Sequence, residues 1–90
     1  MSQGIVVNPE QLVALKAVFT DKSQAVHDVS AQITSQLENT EWRGNVADNF
    51  RRDWAESYAP SLGRLVEALH AAGADVQNAL ARALAADNQG

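Results

Sequence analysis

The sequence has no cysteine. Disulfides and thiolate metal sites are therefore excluded, and only His27, His70 and the carboxylates remain as candidate metal ligands. It has two prolines and five glycines in 90 residues, too few for a linker-like or low-complexity chain. Basic residues are outnumbered, 7 against 11, for a formal charge of -4. That balance argues against duplex binding, which draws on a basic patch to displace counterions from phosphates. The one local basic group, Arg51-Arg52 with Arg43 and Arg64 nearby, reads as a solvated helix face. No apolar run approaches the roughly 20 residues that span a bilayer. The first residues, Met1 to Val7, lack the basic start and long apolar core of a signal peptide. Any export is thus expected to follow a route that reads no cleavable signal.

Catalytic patterns are equally scarce. There is no His-Glu-x-x-His motif and no glycine-rich phosphate loop. His27 has no His, Asp or Glu three or four residues on, and Asp75 stands five after His70, off its helix face. Nothing resembles a strained nucleophile turn or a loop-built pocket. The expectation is a protein that is not an enzyme and that uses no cofactor or metal.

Two long periodic segments are present. The first opens at Asn8-Pro9-Glu10-Gln11. Asn8 suits an N-cap, Pro9 stands where its missing N–H costs nothing, and Glu10 suits the positive end of the helix dipole. Apolar residues then recur by threes and fours at Leu12, Leu15, Phe19, Val26, Val29 and Ile33, a heptad-like seam. Val18, Ala25 and Leu37 widen it, while Lys22 and Gln36 fill the remaining seam positions. Lys22 is the weak point, its stem able to pack while its ammonium reaches water.

The second segment carries Val46, Ala47, Phe50, Trp54, Tyr58, Leu62, Leu65, Leu69, Ala72, Val76, Ala79 and Ala83, with Val66, Gly73 and Leu80 along one edge. Its first steps, Phe50 to Trp54 to Tyr58 to Leu62, are all fours, a stutter that locally unwinds a supercoil. Pro60 removes a backbone hydrogen bond and crowds the carbonyl of Glu56, which predicts a kink between Ala55 and Pro60, near residue 60, with a true helix end there as the alternative. The spacing gives helix 1 over about 9–38, a turn over about 39–45 and helix 2 over about 46–86. The short connection makes the helices antiparallel neighbours.

The expected fold class is all-α: an antiparallel two-helix hairpin forming a single domain. Helices this long are stable only along a partner, and the stripes are wider than one seam requires. A second hairpin laid against the first would complete a four-helix bundle. Its hairpin and dimer core would draw on the apolar residues named from Leu12 to Ile33 and from Phe50 to Leu80.

Between the helices stands Trp42-Arg43-Gly44. A Trp in a helix–helix turn is expected to act as an apolar clasp at the end of the hairpin, its indole N–H capping a loop carbonyl. Gly44 permits backbone angles that other residues resist.

A Trp-Xaa-Gly at the midpoint of a 90-residue, cysteine-free helical pair resembles the WXG family, the ESAT-like substrates of bacterial type VII secretion systems. The resemblance covers nearly the whole chain. Trp42 and Gly44 fit the signature positions, and Phe50 falls where the family tends to place an aromatic. The resemblance implies a hairpin that homodimerises or pairs with a sister hairpin, and export driven by a membrane-bound ATPase translocon. It also implies a role as secreted effector, co-secreted chaperone or adaptor for a larger toxin. One feature departs from the family pattern: no Tyr-x-x-x-Asp/Glu signal follows the second helix, since Tyr58 is the only tyrosine and Ala83 stands four before Asp87. The alternatives are a cytosolic adaptor that masks the helical N-terminus of a larger toxin, and a membrane-disrupting effector. The latter fits poorly, because interfacial helices usually carry a Lys/Arg-rich polar face.

Overall fold

The computed structural model describes residues 6–89, with side chains described as far as residue 85. Helix α1 spans Pro9–Glu38. The Asn8 side chain caps it, Oδ1 accepting from the Gln11 backbone N–H at 3.1 Å, and Pro9 takes the first position. Helix α2 spans Asn45–Asp53, a π-helical turn covers Trp54–Tyr58, and helix α3 runs Ala59–Gln89. These three join without a break into one rod that lies antiparallel to α1. At 1.5 Å per residue the rod is roughly 67 Å long, which accounts for the molecule's longest dimension of 68 Å against 21 and 16 Å across.

The π turn is the structural answer to Pro60. Proline cannot donate to the Glu56 carbonyl, and the Ala59 N–H instead reaches back five residues to the Trp54 carbonyl. The wider turn absorbs an extra residue, so side chains spaced by fours stay near one face. The stutter from Phe50 to Leu62 and the proline are thus two signs of one local adjustment.

The helices meet along a narrow seam. From α1 it takes Leu12, Lys16, Phe19, Ser23, Val26, Ser30, Thr34 and Leu37; from the rod it takes Ala47, Trp54, Leu62, Val66, Leu69, Gly73, Val76 and Leu80, all half-buried or buried. Only Ala47 and Leu80 are buried apolar side chains among the described residues. Ser23 is buried as well, at 1% exposure, with its Oγ donating to the Thr20 carbonyl at 2.9 Å. Gly73 is buried opposite Phe19, whose Cβ would lie 3.5 Å from a Cβ added at the glycine. Few of the seam's larger apolar side chains are fully buried. Burial of apolar area supplies most of the favourable free energy of folding. A hairpin with so thin a core therefore has little to offset its conformational entropy.

Candidate functional site: one apolar side of the hairpin

The apolar residues read from the sequence separate into two groups. Leu12, Phe19, Val26, Trp54, Leu62, Leu69, Val76 and Leu80 line the seam. Leu15, Val29, Ile33, Phe50, Tyr58 and Leu65 do not, and they remain 38–53% exposed. The heptad reading treated Leu15, Val29 and Ile33 as seam positions of the first helix. The structure gives the corresponding positions, one residue further round, to Lys16, Ser30 and Thr34, and the seam places expected of Lys22 and Gln36 go to Ser23 and Leu37.

The exposed group is not scattered. On α1, Leu15, Val18, Lys22, Ala25, Val29 and Ile33 all lie on the flank reached by stepping backward round the helix from the seam, at 100° per residue. On the rod, Phe50, Tyr58, Leu65, Ala68 and Ala72 lie on the flank reached the same way. In an antiparallel pair, those two flanks fall on one side of the plane through both axes. The forward flanks share the opposite side, where His27 and Ala31 of α1 border a groove with Gly63 and Glu67 of α3. The hairpin therefore has an apolar side and a more polar one, although Val13, 54% exposed, lies on the polar flank of α1. Contiguous exposed apolar patches rimmed by polar residues are common at interaction surfaces.

The connection between the helices is organised by Arg51. The sequence placed this residue on a solvated face; the structure corrects that. Its guanidinium donates to the carbonyls of Trp42 at 2.8 Å, Thr40 at 3.0 Å and Leu37 at 3.2 Å. The C-terminal carbonyls of a helix lack partners within the helix, and the planar fork of arginine can serve several at once. Charge at this end also opposes the negative end of the α1 dipole.

Trp42 lies beside that fork, with the Arg51 Cζ 5.9 Å from its ring centre and the Phe50 ring 5.8 Å away at a 46° tilt. Trp42 is 38% exposed, so it covers the end of the hairpin and is not a buried plug. Gly44 has φ +117° with ψ 176°, a region open essentially to glycine alone, and its carbonyl accepts the Asp48 N–H at 2.9 Å.

The indole that does bond across the hairpin is Trp54. Its Nε1–H donates to Thr34 Oγ1 at 2.9 Å, and that hydroxyl donates to the Ser30 carbonyl at 2.9 Å. The ring also stands 6.3 Å from that of Tyr58. A Thr opposite a Trp is a weak sequence signal until the register of the helices is known. The Arg51 fork likewise needs the path of the turn.

The polar side brings His27 and His70 to one groove with Ser23, Gln24 and Val66. Glu67 and His70 are spaced Glu-x-x-His on α3, a spacing expected to be absent. Among the described residues, no three of His, Asp and Glu converge closely enough to hold a metal ion. The described helices include none long and apolar enough to cross a membrane.

No family model, curated protein or solved structure matches the chain. Its functional reading therefore rests on the residues and their arrangement.

Proposed function

We propose that this chain is a non-enzymatic interaction module: its apolar side is covered by another helical hairpin, either a second copy or a related chain, to form a four-helix bundle. The observation that carries this reading is the one-sided exposure of Leu15, Val29, Ile33, Phe50, Tyr58 and Leu65 on a hairpin whose own seam buries few apolar side chains. A long helix derives its stability mainly from tertiary packing of an apolar face, and a second hairpin would supply the missing layer.

We propose further that the module is a substrate or co-secreted adaptor of a type VII secretion system. This rests on the resemblance of Trp42-Arg43-Gly44, set between two long helices, to the WXG pattern. The positive φ of Gly44 gives a physical reason for glycine at the third place of the tripeptide. Arg51 and Phe50 give Trp42 a defined setting at an exposed end, where a secretion ATPase or a larger toxin could meet it. Deleting the translocon ATPase should remove the protein from culture medium while leaving its intracellular level intact. Undiminished secretion would sink the export half of the proposal.

A further inference from the structure

Lys22 is the one charged residue in the middle of the apolar side. It is exposed, with Val18 one turn before it and Val29 two turns after. Across the hairpin its level falls near His70, because Ser23 shares a groove with Val66 and His70 and Phe19 abuts Gly73. The floor around it is built of Ala25, Ala68 and Ala72, so a partner helix can approach closely here. Among the described residues, the one contact of ion-pair geometry is His27 Nδ1 to Asp28 at 3.7 Å, charged only when the imidazole is protonated, and Lys22 makes none. Asp21 precedes it but lies a full residue step further round, on the outward face of α1, and Asp75 of α3 stands more than a turn from the Lys22 level.

A second copy fits this feature badly. The described apolar side runs on α1 from Leu15 to Ile33, and its midpoint falls beside Lys22. If two copies overlap fully with their turns at opposite ends, α1 faces α1 and the two Lys22 residues lie about four residues apart along the axis, roughly 6 Å. If the turns lie at the same end, the two lysines enter the same layer of the bundle from opposite corners. Either arrangement gathers two ammonium groups in the middle of an apolar interface, where like charges repel with less screening than in water. A carboxylate from a different chain at that layer would turn the same position into an attraction, and a single charged residue in an apolar seam is a known means of fixing partner choice.

We infer that Lys22 selects the partner: the apolar side is built to take a different helical pair carrying a carboxylate opposite Lys22, in preference to a second copy of this chain. This rests on the reading of the apolar side as the interface. The chain itself can supply the probe. Wild type, Lys22→Met, Lys22→Glu and an equimolar mixture of wild type with Lys22→Glu would be compared by sedimentation equilibrium and by native mass spectrometry with one chain isotopically labelled. Circular dichroism would check that helix content is unchanged.

The Lys22→Met chain should self-associate at least ten-fold more tightly than wild type. In the mixture, dimers containing one chain of each kind should exceed the statistical half. If wild type and Lys22→Met pair equally tightly and the mixture is statistical, Lys22 has no say in partner choice and the inference falls, while the interface reading stands. If neither Lys22→Met nor the mixture associates at any concentration, the inference and the hairpin-pairing reading both fall.

Discussion

Replacing Arg51 with methionine keeps the length of the apolar stem and removes the guanidinium. Three carbonyls, those of Leu37, Thr40 and Trp42, lose their donor at 2.8 to 3.2 Å. A hydrogen bond to a charged group contributes roughly 1.5–3 kcal/mol when its partners are shielded. Here the Trp42 and Thr40 bonds are exposed and the Leu37 bond is part-buried, so water can replace most of what is lost. The loss should total about 2 kcal/mol, which corresponds to roughly 8–16 °C in melting temperature for a domain of this size. The assay is urea and thermal unfolding followed by circular dichroism at one fixed protein concentration, because self-association would add a concentration term. Arg51→Lys should recover no more than one of the three bonds, since an ammonium is a point charge without the planar fork. A methionine variant within about 0.5 kcal/mol of wild type, a loss too small for three charged hydrogen bonds, would refute the view that Arg51 organises the connection. So would a lysine variant indistinguishable from wild type.

Three more outcomes follow from the packing. Trp54→Phe and Thr34→Val should each destabilise, and the double variant should lose about 1 kcal/mol less than the sum of the two; strict additivity in urea melts would mean the cross-hairpin bond contributes nothing. Trp42→Ala should cost about 1–2 kcal/mol, below the 3–5 kcal/mol of a fully buried large side chain, because the ring is 38% exposed; an unchanged melting temperature with export lost would make Trp42 a recognition residue alone. Gly63→Ala should stabilise α3 by up to about 1 kcal/mol, since nothing lies within 4 Å of the added Cβ; a lower melting temperature would show that this glycine serves a contact outside the hairpin.

The all-helical architecture and the two-helix plan were legible in the sequence because their signals are local. Asn8 and Pro9 mark a helix start by chemistry that needs no tertiary partner. Long apolar periodicity outweighs any competing strand pattern. What the sequence did not yield was which apolar stripe faces which neighbour. Two stripes separated by one step round the helix, Leu15-Val29-Ile33 and Phe19-Val26-Leu37, carry nearly the same hydrophobicity. The choice between them depended on the small polar residues Ser23, Ser30 and Thr34, which let the rod approach closely and leave the larger residues outside.

Arg51 was illegible for a different reason. Its three acceptors are backbone carbonyls nine to fourteen residues back, and no side-chain pattern announces them. Proline announces a local disturbance through its missing N–H, but the sequence does not distinguish a kink from a π turn. That distinction depends on whether the Ala59 N–H finds the Trp54 carbonyl.

If the apolar side is the interface, it is covered in the functional assembly and the polar side is not. The direct measurement is site-specific photocrosslinking in the cells that make the protein, with a benzophenone side chain placed singly at four positions. Val29 and Leu65 represent the apolar side; Ala31 and Glu67 represent the polar side at nearly the same levels along the hairpin. The account predicts one discrete adduct from positions 29 and 65, with the mass of a hairpin-sized or hairpin-containing partner, and little or none from 31 and 67. Equal adducts from both sides, or adducts from 31 and 67 alone, would contradict it.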